Sequence, residues 1–285
     1  MSKRLKIALL ALLIVFASIG LLFSGVFVAM QFGLLNVRGS IMERNSFFTG
    51  TDTGPAAVIA AQSCVDATLD SCAWHESPEW AVVAGGLEKD AALITRVAKE
   101  TGVDARLIAA VVIPEQIRFF TSEREVFKRY FEPLKILGSL SQFSLGVSGI
   151  KQETARKVEA YAKDSSSPFY PGPEAARLLA YNDSIDQDAE LYNRLTDDKD
   201  HYYSYLYTAI YLKEIMAQWE RAGFDISHDA DAVVTLFNIG FENSNPNPDP
   251  KPGGASIMVG GRSYAFGQLG GDFYRSDELL DSFPR

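Results

Sequence analysis

No charged residue occurs between Ile7 and Val37, and the stretch from Ile7 to Phe32 is almost wholly apolar. A helix crosses the hydrocarbon core of a bilayer with about 20 apolar residues, whereas the apolar region of a cleaved leader spans about 7–15. The run therefore predicts a transmembrane helix at 7–32. Lys3, Arg4 and Lys6 precede it, and positive charge holds the short N-terminus, residues 1–6, in the cytoplasm. Nearly all of the remaining chain is then outside the cytoplasm. The alternative is a leader removed near the small residues Ser24, Gly25 and Ala29.

About 250 residues follow, enough for one large domain or one domain with a small appendage. The formal charge is −9, and without the three basic residues before the span it is −12. So acidic a surface repels nucleic acid, which needs a basic face. The partner expected from composition is the lipid bilayer, through residues 7–32. Cys64 and Cys72 are the two cysteines. An oxidising compartment would join them in a short-loop disulfide; two separate thiols are the other reading. His75, His201 and His228 are scattered, and neither HExxH nor paired CxxC spacing occurs, so no metal and no cofactor are expected.

Residues 33–53 read as a tether, with glycines among polar residues and no sustained period; fully extended it reaches roughly 65 Å. Residues 54–86 form an N-terminal extension with the cysteine pair and a short helix from Pro55 to Leu69. The helical pattern is steady from Leu87. Segments are predicted at Leu87–Thr101, Ala105–Ile113 with Asp104 as N-cap, Gln152–Lys163, Glu174–Ala180, Ile185–Leu195, Tyr202–Ala222 and Ala230–Asn238. Ser122 and Glu125 have capping-box spacing before another. Residues 243–285 read as a loop, a hairpin of Ser256–Val259 and Arg262–Phe266 around Gly260-Gly261, and a short acidic helix near Ser276–Asp281.

Neither a P-loop, a GxSxG elbow nor a GxGxxG fingerprint is present. Glu115 is the central chemical candidate. It follows the apolar run Leu107–Ile113 and precedes Phe119-Phe120, and a carboxyl desolvated in this way holds its proton toward neutral pH, as a general acid requires. The plain alternative is a surface or capping Glu past the end of a core helix. Pro114 just before it would kink the helix and leave Glu115 in a turn.

The order of segments adds to this. "TGVDARLIAAVVIPEQIRFF", "SLGVSGIKQETARKVEAY", "TAIYLKEIMAQW" and "DAVVTLFNIG" follow one another. Over about residues 90–242 this resembles the lytic transglycosylases of the goose-type lysozyme-like superfamily. In that family a helix reading V-D-P-x-L-L-x-A-I-x-x-E-S carries the acid, G-L-M-Q-I and P-x-T-A follow, and later helices read N-I-x-x-G-x-x-Y-L and A-V-A-A-Y-N-A-G. Glu115 matches the acid, Gly146, Val147 and Ile150 the second motif, Thr154-Ala155 its T-A, and Phe237, Asn238 and Gly240 the Y-N-x-G. Gln116 replaces the Ser after the acid, Ser148-Gly149 the Met-Gln, and Phe237 the Tyr.

The resemblance implies a mainly α, lysozyme-like domain at 87–242 and cleavage of the β-1,4 bond between N-acetylmuramic acid and N-acetylglucosamine in peptidoglycan, at a bacterial cytoplasmic membrane. Glu115 would be the single acid and base, with Gln116, Gly146, Val147, Ser148, Gly149, Ile150, Phe237 and Asn238 contacting the glycan strand. The alternative is a non-catalytic envelope protein that keeps the fold for glycan binding or assembly. Asn238 either bonds substrate or Glu115, or caps its helix beside Gly240. Tyr202, Tyr203, Tyr205, Tyr207 and Tyr211 suggest sugar stacking, although their helical spacing suits core packing. Tyr264, Phe266, Phe273 and Tyr274 are candidates for a lid over the cleft.

Overall fold

The computed structural model describes residues 72–121, 144–182, 186–197, 199–240 and 244–285, together with Leu12, 16–21 and 24–25 of the N-terminal run. The tether, the helix expected at 55–69, Cys64 and the Ser122/Glu125 pair lie outside the described residues, as does most of 7–32. Among the described residues no helix is long and apolar enough to cross a membrane. They are mainly helical, with two small antiparallel hairpins.

Helix α1 is Pro78–Thr101. It begins well before the expected Leu87 and runs through 86/87, where the extension was expected to end. Ser77 Oγ accepts from Trp80 N at 3.1 Å, and Pro78 occupies the first turn, where a missing N–H costs nothing. Gly85 and Gly86 both fall within it, and Gly86 is buried. Gly102, at φ 75°, ends it.

Helix α2, Ala105–Thr121, is the centre of the molecule. Every side chain from Leu107 to Ile113 is buried, as suits a helix that is apolar all round. The helix continues through Pro114, so Glu115 and Gln116 are helical and the expected turn is absent. Pro114 has no N–H, and the Ala110 carbonyl loses its helical donor.

Strands β1, Ser144–Leu145, and β2, Ile150–Lys151, pair with Leu145 opposite Ile150, and β2 leads into α3, Gln152–Lys163. Helices α4, Pro173–Leu178, and α5, Gln187–Thr196, follow. Helix α6, Tyr202–Arg221, packs on α1, α3 and α7, Ala230–Ile239. Asp229 caps α7 by accepting from Ala232 N at 2.9 Å.

The C-terminal hairpin forms where expected: β3, Ser256–Val259, pairs with β4, Arg262–Ala265, around Gly260 and Gly261, both at positive φ. The helix that follows is not the expected one. Residues 276–281 form turns and bends, and α8 is instead Phe266–Arg275. Three glycines, Gly267, Gly270 and Gly271, hide it from a propensity argument and explain its position. A Cβ at Gly267 would overlap Thr235 Oγ1, one at Gly270 would lie 2.6 Å from Ala110 O, and one at Gly271 would lie 2.4 Å from the Asp231 carboxyl. Helix α8 thus lies against α7 and α2 at a distance that no side chain allows, and it covers the carbonyl that Pro114 leaves without a donor.

Arg106 locks this arrangement. It is fully buried, and its guanidinium donates to the carbonyls of Tyr274, Glu278, Phe283, Phe273 and Ser276 at 2.6–2.9 Å. All five N–H groups of an arginine are thereby used. Phe266, Phe273 and Phe283 are fully buried in the same core as α2. The lid expected from Tyr264, Phe266, Phe273 and Tyr274 is therefore corrected: Phe266 and Phe273 are core residues, and the Tyr274 hydroxyl donates to Asp104 at 2.7 Å. At the other edge Cys72 is disulfide-bonded, and its N–H donates to Gly260 O at 2.8 Å.

Candidate active site

A cleft of about 180 Å³ opens at the C-terminal half of α2, lined by Glu115, Gly149, Ile150, Lys151, Thr154, Tyr211, Phe237, Asn238, Ile239 and Gly240. These residues come from α2, the β1–β2 turn, the start of α3, the middle of α6 and the end of α7. Glu115 is only 3% exposed, because α2 is packed on all sides up to the point where its carboxyl meets the cleft.

The β1–β2 turn contains two glycines at positive φ, Gly146 at 63° and Gly149 at 66°, and it reaches the cleft at Gly149. Gly149 N–H donates to Gly146 O at 3.3 Å. The left-handed backbone at 149 favours glycine, since a Cβ there would be strained. Gly146 is fixed by space as well, since a Cβ would lie 2.5 Å from Ser204 Oγ and 2.6 Å from Leu195 O.

Of the residues expected to contact substrate, the structure brings Glu115, Gly149, Ile150, Phe237 and Asn238 to the cleft. It does not bring Gln116, Gly146, Val147 or Ser148, which are buried and do not line it. Gln116 braces the site from behind. Its Nε2 donates to Val147 O, tying the helix that carries Glu115 to the turn that carries Gly149. Its Oε1 and the Ser148 hydroxyl are buried without a hydrogen-bond partner among the described residues.

Asn238 does line the cleft, but its Oδ1 accepts from Ala255 N at 2.8 Å. The amide oxygen anchors the loop before β3, and what the side chain offers the cleft is its NH₂ donor. Gly240, at φ 95°, ends α7, with its N–H donating to Leu236 O at 2.9 Å. Capping thus falls to Gly240 rather than to the asparagine side chain. Phe237 packs against Tyr211 with ring centroids 5.0 Å apart.

Sequence reasoning did not single out Lys151 or Ile239, and it named Tyr211 only within a set of five tyrosines that suggested sugar stacking but whose spacing suited core packing. Tyr211 was legible in part, since Tyr211-Leu212 falls on the Y-L of the third resembling segment. The other tyrosines of α6 face away from the cleft. Tyr205 donates to Asp90 at 2.7 Å, and His201 Nδ1 lies 2.6 Å from the same oxygen. Tyr207 donates to Glu159 at 2.5 Å, and Tyr181 donates to it as well. Burial, reinforced by these carboxylates, raises the pKa values of Tyr205 and Tyr207 far above the ordinary phenol value, so both stay protonated donors. They brace α6 against α1 and α3.

Among the described residues no group of three or more His, Cys, Asp or Glu side chains is placed to hold a metal ion. The arrangement is one buried carboxyl, hydroxyls from Thr154 and Tyr211, an amide donor from Asn238 and an ammonium from Lys151. Such a set can protonate and deprotonate one oxygen atom of a polar ligand while holding its hydroxyl and amide groups. Compared with known proteins, the chain matches no family model, no curated protein and no solved structure.

Proposed function

We propose that this chain is a membrane-anchored peptidoglycan lytic transglycosylase with a lysozyme-like domain. One observation carries the reading: the segments that resemble the family lie far apart in sequence, yet their Glu115, Gly149-Ile150, Thr154, Tyr211 and Phe237–Gly240 positions meet in a single cleft around a buried carboxyl. Helices α2 and α3, the turn between them and helices α6 and α7 follow in the family's order.

Glu115 protonates the oxygen of the β-1,4 bond between N-acetylmuramic acid and N-acetylglucosamine as that bond breaks. The same carboxylate then takes the proton from the 6-hydroxyl of the muramic residue, whose oxygen closes on C1 to leave a 1,6-anhydro end. One carboxylate suffices because the attacking group belongs to the substrate, in the manner of substrate-assisted exceptions to the two-carboxylate rule. The Asn238 NH₂ is suited to a sugar amide carbonyl. The anchor is residues 7–32; within it the described residues 16–21 are helical, and Phe16 and Leu21 are 65% and 77% exposed, a surface that suits lipid. The 33–53 tether then limits how far from the membrane the domain works.

A second reading is a glycan-binding or assembly module of the same fold. It is favoured by Gly149, which leaves one cleft wall without the family's side-chain amide, and by Phe237, which lacks the family's hydroxyl. Product chemistry separates the two. The full chain in detergent, incubated with purified sacculi, should release muropeptides that mass spectrometry finds one water lighter than their hydrolysed counterparts. Products with ordinary reducing ends would make it a hydrolase, and sacculi bound without any release would leave only the binding module.

A further inference from the structure

Among the described residues that line the cleft, Lys151 is the one cation. It is the last residue of β2 and immediately precedes α3, and it is half-buried. Two carboxylates of the neighbouring helices are committed elsewhere. Glu153 pairs with Lys157 at 3.8 Å, and Asp188 pairs with Arg156 at 2.9 Å. Among the described residues no carboxylate, Glu115 included, pairs with the Lys151 ammonium. A lysine on the cleft wall, in a segment carrying −12 overall, gives an anion a point of attraction within the cleft. Partial burial lowers the dielectric around it and strengthens what it binds.

We infer that Lys151 binds a carboxylate carried by the substrate and so sets its specificity. This rests on the peptidoglycan reading above. In that polymer the sugar ring atoms are uncharged, and the carboxylates nearest the scissile bond belong to the short peptide joined through the lactyl group of the muramic residue. Lys151 therefore makes the enzyme prefer glycan bearing peptides over bare glycan. It touches a substituent rather than the reacting oxygen, and its effect falls on kcat/KM.

The test compares native sacculi with sacculi whose peptide carboxylates have been converted to amides, using the full chain in detergent. Capping should lower the wild-type kcat/KM about fivefold, near the upper range for a partly exposed ion pair. Lys151→Met should lower it by a similar factor on native sacculi and then respond less than twofold to capping. Lys151→Arg should retain most of the preference. Equal losses for Lys151→Met on native and capped sacculi, or a full capping effect in the variant, would overturn the inference. Amidase-stripped glycan keeps only the lactyl carboxylate, so a Lys151 effect of undiminished size there would overturn the assignment to the peptide. If the wild type cuts neither substrate, the proposed activity fails. Sedimentation with native and capped sacculi still judges the lysine, since preferential binding must disappear in Lys151→Met.

Discussion

Glu214 lies one turn beyond Tyr211 on α6, fully buried, and neither of its oxygens has a hydrogen-bond partner among the described residues. Burial alone pushes its carboxyl up to about 10, so the folded protein holds this proton at neutral pH. An unfolded chain releases it near the ordinary value of about 4.3. The folded state therefore binds more protons between those values, and stability, full below the lower one, falls as pH rises toward the upper. The slope is at most about 1.4 kcal/mol per pH unit. Glu214→Met should raise stability at pH 7 and flatten its dependence between pH 5 and 8; denaturant unfolding across that range checks both. Arg106 is the opposite case, a buried charge with every donor used. Lysine has three donors in place of a planar fork of five, so Arg106→Lys should cost about 2–3 kcal/mol, visible as a fall in thermal midpoint. Sequence pattern revealed Glu115, because an apolar run ending in a carboxyl signals desolvation. It could not reveal Arg106 or Glu214, since their partners, or lack of them, depend on chain more than a hundred residues away or on the packing of a whole helix.

At the scale of elements, the order and register of α3, α6, α7 and the C-terminal hairpin were legible. Each has a periodic apolar face or a turn dipeptide with a local cause. Helix α8 was not. Its glycines lower intrinsic helicity, and their purpose appears only when α7 and α2 are set against them. Gly270→Ala should therefore destabilise the protein by about 2 kcal/mol, although alanine is the better helix former, because its Cβ would meet the backbone oxygen of Ala110 and the Val234 side chain. Gain of stability in chemical denaturation would show that α2 and α8 are free to separate. The same reasoning covers Pro114. Read locally it kinks the helix and leaves Glu115 in a turn; in the fold it leaves the Ala110 carbonyl without its helical donor, and α8 covers that carbonyl while α2 continues to Glu115. The Gln116 bond to Val147 O belongs to this scale too. Gln116→Ala should loosen the β1–β2 turn, lowering hydrogen-exchange protection at 146–150 more than elsewhere.

For the whole molecule, the segment after Gly254 belongs to the core that supports the cleft. Phe266, Leu269, Phe273 and Phe283 are fully buried, the Arg106 fork holds the carbonyls of Phe273 and Phe283, and Ala255 N–H holds the Asn238 amide oxygen. A chain ending at residue 255 should lose cooperative unfolding and become sensitive to protease throughout α2 and α7. From sequence this segment looked like an appendage, because contacts so distant in the chain leave no local pattern. The site was more legible than its scaffold. Glu115, Gly149-Ile150 and Phe237-Asn238 were named from motif order and meet in one cleft, while Lys151 carried no sequence signal. The central claim is that the Glu115 carboxyl performs the cut. The most direct measurement is muropeptide release from sacculi by the wild type and by Glu115→Gln, with sacculus binding and thermal midpoint recorded for both. Release should fall by about a thousandfold or more while binding and midpoint stay near wild-type values; release by Glu115→Gln at the wild-type rate would contradict the account.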